Sequence, residues 1–237
     1  MIRSAFRYFL LPACVAVGSI AQADVSSTIT ATSDYDFRGI AQTAGDPSLQ
    51  ASLDWSAESG LSAGIWASNV DFGSGTDSDI EIDLYAGYEW SLSDDLSFNV
   101  GGVYYSYHGD GDDIDYLEIN TGIGYKDFSA KFWYSPDFLN SDETAWYLEA
   151  NYAFALPQDF SLNLHAGYNA GDFWKAFDSE YFDYSIGVSK TLGNFDLALK
   201  WVDGSDFALA DYSRSQANSS KATVIFSVAT TLPWASK

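Results

Sequence analysis

Cysteine is almost missing from this chain. Of 237 residues only Cys14 is one, and it lies near the amino terminus. A disulfide framework, a cysteine metal cluster and a cysteine nucleophile are therefore excluded from the rest of the molecule. Histidine is nearly as scarce: His108 and His165 are the only two, which leaves general acid–base chemistry little to work with. Basic residues are few, 11 Lys and Arg against 33 Asp and Glu, for a net charge of −22. Such a field repels nucleic acid and attracts cations. After residue 23 no apolar run approaches the ~20 residues of a membrane helix, and no helical period persists. The G-x-S-x-G turn, the P-loop and H-E-x-x-H are all absent. No cofactor is expected, and the chain reads as a non-enzyme.

The first residues form a targeting signal. Arg3 and Arg7 make a positive start, an apolar core runs from Phe9 to Ile20, and Ala21-Gln22-Ala23 is a small-x-small cleavage pattern. Leu11-Pro12-Ala13-Cys14 loosely resembles a lipidation box, but proline fits it poorly and the apolar stretch continues past the cysteine. The expectation is a signal peptide over 1–23 and one domain over 24–237. Without Arg3 and Arg7, nine basic residues face 33 acidic ones.

Aromatic residues are abundant, with 16 Tyr, 16 Phe and 8 Trp. They fall into a persistent alternation of period two, the signature of strands with two unlike faces. Between Asp79 and Trp90, one face carries Ile80, Ile82, Leu84, Ala86, Tyr88 and Trp90, and the other Glu81, Asp83, Tyr85, Gly87 and Glu89. The same pattern holds over 49–55, 117–125, 128–134, 146–154, 160–168 and 195–201. It is weaker over 27–38, 61–70, 96–107, 181–190 and 221–232. These segments are twelve candidate strands, an even number and about the length that crosses a bilayer at a tilt.

The connections alternate too. Short ones fall at 58–60, 91–95, 126–127, 155–159 and 191–194. Longer ones, rich in Gly and Asp, fall at 39–47, 71–78, 108–113, 135–143, 169–180 and 203–220. Short turns on one rim and long loops on the other describe an outer-membrane barrel. Trp55, Trp90, Tyr125, Phe128, Tyr152, Phe160 and Phe195 gather beside the short turns. Tyr104, Tyr134, Trp146, Tyr168, Tyr184 and Trp201 lie toward the long loops, forming two girdles around an apolar band. The expected fold is all-β: a closed antiparallel transmembrane β-barrel of about twelve strands. It would be exported through the periplasm to the outer membrane of a Gram-negative cell, among outer-membrane lipid and lipopolysaccharide. A soluble sandwich or lipocalin-type barrel, apolar face inward, is the competing reading.

Several stretches carry a family resemblance. They are Thr32-Ser33-Asp34-Tyr35-Asp36-Phe37-Arg38-Gly39, Gly45-Asp46-Pro47, Trp66 to Phe72, Glu81 to Tyr88, Ala166 to Asn169 and Asp183 to Val188. With these the chain resembles the TorF-type porin family, a conserved proteobacterial outer-membrane family also called Gcw_chp. The resemblance implies a porin-like barrel and names no substrate. Asp36, Ala41 and the ending Trp234-Ala235-Ser236-Lys237 depart from the pattern.

By parity the inward face carries Asp34, Asp36, Asp54, Glu81, Asp83, Glu89, Glu118, Glu149, Asp183 and Asp196. The bases there are Arg38, Lys131 and Lys200, with His165 as a hydrogen-bonding lumen residue. Ten acids against three bases suggest a narrow channel for small polar or cationic solutes. The bland counterpart is a salt-bridged plug, as in small closed barrels. Interior width decides between them, and twelve strands lie between a filled and an open barrel. Arg38, with Asp34 and Asp36 on its face and strand end, is expected either to narrow the outer lumen or, equally, to serve as a simple ion pair that holds the register. Asp110, Asp112 and Asp113 are candidates for weak divalent-cation binding, in a loop that lacks the spacing of an EF-hand. A membrane-embedded lipid hydrolase and a loop-based adhesion or structural protein are the other function classes.

Overall fold

The computed structural model describes residues 24–73, 78–111, 113–205 and 219–234. The signal segment 1–23 with Cys14, Asp112, most of the loop 203–220 and the terminal residues 235–237 lie outside the described residues.

Twelve strands form the wall. They are β1 (Asp24–Thr32), β4 (Ser48–Ser56), β5 (Leu61–Asn69), β6 (Ser78–Ser91), β7 (Leu96–Gly109) and β8 (Tyr116–Tyr125). The circle continues with β9 (Phe128–Ser135), β10 (Ala145–Ala155), β11 (Phe160–Ala170), β12 (Tyr181–Leu192), β13 (Phe195–Ser205) and β14 (Thr223–Leu232). Every strand pairs antiparallel with its chain neighbours, and β1 pairs with both β4 and β14, which closes the barrel. Closure leaves no unpaired edge, so each wall strand's backbone is satisfied within the sheet.

The two faces have the polarity that alternation dictates. Leu49, Leu53, Leu84, Ile119 and Leu199 are each more than half exposed on the outside. Ser48, Gln50, Ser52 and Asp54, interleaved with them on β4, are buried inside. This is the reverse of a water-soluble sandwich or lipocalin-type barrel, and that reading falls. Aromatic residues of the outer face meet across strands at both ends, Trp90 stacking on Phe98 and Tyr168 lying tilted against Phe182.

One strand differs from the sequence reading. The period-two stretch 27–38 is not a single strand. β1 ends at Thr32, whose hydroxyl donates to the carbonyl of Asp34 and turns the chain off the wall. Residues 33–47 then fold into the barrel, where β2 (Asp36–Phe37) and β3 (Ile40–Ala41) pair as a two-stranded hairpin. Its turn residues Arg38 and Gly39 have φ of +50° and +81°, the left-handed pair that a tight hairpin twist requires. Alternation cannot distinguish this from a wall strand, because a hairpin strand has the same period.

Two long loops also lean inward. A 3₁₀ turn at Phe138–Asn140 buries Phe138, and the short helix α1 (Asp172–Ala176) buries Trp174. Both rings pack with Tyr116, Tyr147 and Tyr181 into an aromatic cluster inside the long-loop end of the barrel.

Candidate functional site

The hairpin's tip is the most constrained point of the interior. Arg38 Nη1 and Nη2 donate to the two carboxylate oxygens of Glu118 on β8, at 2.8 and 2.6 Å. The side chains are 8% and 0% exposed. A guanidinium presents parallel donors that match a carboxylate in this way, which an ammonium cannot do. The rings of Tyr147 and Phe37 lie 4.4 and 4.6 Å from the guanidinium carbon, and Trp133 lies at 5.4 Å. Burial disfavours the positive charge, but the adjoining Glu118 carboxylate and its hydrogen bonds outweigh that, so the arginine pKa is raised. Tyr105 Oη donates to Glu118 at 3.0 Å, and Tyr181 Oη donates to the Arg38 carbonyl at 3.0 Å. Gly39 is required twice over. Its φ is left-handed, and a Cβ there would stand 2.7 Å from Cβ of Asp183.

Asp36 and Asp34 do not share a strand with Arg38 on the wall, contrary to the expectation from parity. Asp36 faces Lys200 of β13 at 3.2 Å. Asp34 Oδ1 accepts from the hydroxyl of Thr43, which also donates to the carbonyl of Asp46. The cluster is thus spread over the hairpin, which reaches from Tyr35, edge-on to Trp66 of β5, to Lys200 of β13, four strands away around the wall.

The wall acids enter the interior as parity implies. Asp54, Glu81, Asp83, Glu118 and Asp183 are buried, while Glu149 and Asp196 are half-buried. Glu89 is exposed, because it sits on β6 near the short-turn rim. Asp54 accepts hydrogen bonds from Ser52 and from the hydroxyl of Tyr85. Glu149 accepts from Trp133 Nε1 at 2.9 Å, and Lys131 lies over the same indole at 4.9 Å. Asp196 accepts from Thr191 at 2.6 Å.

His165 faces the interior, half-buried. Its Nε2 meets Asp183 at 2.8 Å and Tyr147 Oη at 2.9 Å, and its Nδ1 meets Asn151 at 2.7 Å. Both ring nitrogens are thereby occupied by a positioning network. The loop acids Asp110 and Asp113 are exposed, and Asp113 accepts from the backbone amide of Asp115. Asp112 lies outside the described residues. Among the described residues no three acids or histidines come together as metal ligands.

Sequence reasoning missed the tyrosines. Tyr105, Tyr107 and Tyr147 point inward, and their hydroxyls serve Glu118, Glu81 and Asp183. The signal was present in the register, since Tyr105 and Tyr107 oppose Asp83 and Glu81 directly. Beyond this filled outer half, toward the short turns, the inward positions are mostly small and polar, with Glu89, Lys131 and Asp196 among them. Ser26, Thr28, Ser62, Asn99, Gly101, Gly124 and Ser129 are all partly exposed there. The interior is therefore an accessible vestibule at one end and a hairpin constriction at the other.

A family model, described as a bacterial protein of unknown function (Gcw_chp), matches residues 16–232. No curated protein matches the sequence. Among solved structures the barrel is similar to the NanC porin, with 8% identity and a TM-score of 0.59 over 87% of this chain and 99% of that one. It is also similar to the KdgM porin, with 10% identity and a TM-score of 0.55 over 89% and 99%. KdgM in complex with disordered oligogalacturonate aligns at 9% identity and a TM-score of 0.53, over 90% and 100%. The likeness is one of fold.

Proposed function

We propose that this chain, which belongs to the Gcw_chp family of bacterial proteins of unknown function, is an outer-membrane porin-like channel for small polar or cationic solutes. The observation that carries the reading is the inward-folded hairpin. It fixes a charged constriction inside a barrel whose other half is lined mostly by small polar residues open to water. Salt-bridged filling of the outer half is the device that makes the bore narrow. The resemblance to TorF-type porins points the same way. The exposed apolar outer face requires an apolar solvent, which supports a site in the outer membrane among its lipids and lipopolysaccharide.

Ten inward acids against three bases give the interior its sign. Low-dielectric walls focus such a field. Polyanions are disfavoured, so the oligogalacturonate found with KdgM is not the solute proposed for this chain. The test is the reversal potential of the purified protein in planar bilayers under a KCl gradient. K⁺ is expected to be preferred over Cl⁻, more strongly in dilute salt, because the screening length grows from about 10 Å at 0.1 M to about 30 Å at 0.01 M. Anion preference, or the absence of any single-channel current, overturns the reading.

A further inference from the structure

Glu81 and Asp83 stand two residues apart on β6, so both side chains enter the interior from one strand. They are 1% and 8% exposed. Among the described residues, neither forms an ion pair. Tyr107 Oη donates to Glu81 Oε1 at 3.1 Å, but Glu81 Oε2 and Asp83 Oδ1 are buried with no hydrogen-bond partner. Three other buried acids meet a base: Glu118 meets Arg38, Asp36 meets Lys200, and Asp183 meets His165 through Oδ1 alone, its Oδ2 being likewise without a partner.

The difference follows the wall. Lys131, His165 and Lys200 come from β9, β11 and β13, and the Arg38 tip leans on β8 and β10. The strands β4, β5 and β6 contribute Asp54, Glu81, Asp83 and Glu89 and no base. In the closed order β6 lies across the barrel from β12, so the uncompensated acids occupy one side of the interior. A buried carboxylate without a partner is strongly disfavoured, so it either takes up a proton or draws in a counter-ion that the wall itself does not supply.

We propose that Glu81 and Asp83 form a binding site for a small inorganic cation. Carboxylate and phenol oxygens are hard ligands suited to calcium, magnesium and alkali ions. Two carboxylates do not complete a coordination shell, so the ion keeps part of its water and exchanges readily, as a conduction site demands. Asp83, the less buried of the two, lies on the side of Glu81 nearer the short turns. Exposed Glu89 lies on the same face of β6, eight residues and so about 27 Å along the strand from Glu81. The site deepens the channel reading by placing the cation path along one wall, but binding itself does not depend on conduction.

The experiment uses Tb³⁺ alone as probe, with the full barrel in detergent, reading luminescence sensitised by Tyr107 and its neighbour Tyr35. Saturable emission, competed by Ca²⁺, is expected from the wild type. Glu81→Gln with Asp83→Asn should weaken apparent affinity by about 10- to 100-fold, the loss seen even when only a ligand's supporting partner is removed. Glu149→Gln, on the other side, and the loop pair Asp110→Asn with Asp113→Asn should leave it unchanged. A heat-shifted electrophoretic mobility verifies that each variant is folded. Should the double variant fail that check, Asp83→Asn alone is used, with reduced affinity again expected. Absence of saturable emission in the wild type, wild-type emission from the folded variant, or loss with the loop pair overturns the site. Binding without current would sink the channel and keep the site, and cation-selective current without binding would do the converse.

Discussion

Arg38 concentrates the interior's chemistry in one residue. It is the sole basic residue between positions 24 and 125, and it is spent on a bidentate pair with a fully buried carboxylate. Removing one partner of such a pair leaves the other charged, buried and unmet. Arg38→Met is therefore expected to destabilise the barrel by about 3 kcal/mol, the lower part of the range for broken buried pairs. Arg38→Met combined with Glu118→Gln should recover most of that loss, since neither charge then remains. Urea unfolding of protein refolded into vesicles reads both. A double variant as unstable as the single one would mean that the pair is not what holds the hairpin. In bilayers the same single variant should raise cation preference, because the base leaves and Glu118 stays.

At the scale of elements, the proposed channel has its bore set by the hairpin 33–47 rather than by any wall strand. The hairpin is anchored by Arg38, by the Asp36–Lys200 contact and by the backbone bond from Ala41 to Ser219. Replacing residues 35–45 with a short Gly-Ser linker should leave the twelve-strand wall intact. Conductance is expected to rise roughly two- to fivefold, because twelve strands enclose more space than wall side chains alone fill. Gly39→Val should shift conductance in the same direction, since valine tolerates neither the left-handed φ nor the contact with Asp183. Unchanged conductance after the replacement would place the constriction elsewhere, in the aromatic cluster of Phe138 and Trp174.

At the scale of the whole molecule, the arrangement of turns and loops orients the barrel. The chain has no cysteine after position 14, so single cysteines report cleanly. Lys175, exposed on α1 at the long-loop end, and Lys126, exposed in the short turn between β8 and β9, are the informative positions. In intact cells a membrane-impermeant maleimide should label Lys175→Cys and spare Lys126→Cys. The opposite pattern would invert the proposed topology. Before heating, the folded protein should migrate faster on gels than after it, as a closed barrel resists detergent.

The strands and their order were legible in the sequence because a side-chain period of two records which face is apolar at every position. Glu81 through Trp90 announce a wall strand without any knowledge of their neighbours, and the short and long connections announce the closure. The inward direction of Asp54, Glu118 and Asp183 follows from the same parity. What parity cannot carry is depth and partnership. Thr32 ends β1 through a hydrogen bond to a residue two positions on, and the alternation continues undisturbed into the hairpin. Glu118 lies 80 residues from Arg38, and Lys200 lies 164 from Asp36. Such pairs are chosen by the curvature of the closed wall, which brings distant strands to face one point. So the sequence by itself determined a barrel with a charged interior. Only the tertiary structure decided that its first long loop folds inside, which acids are answered, and that Glu81 and Asp83 are not.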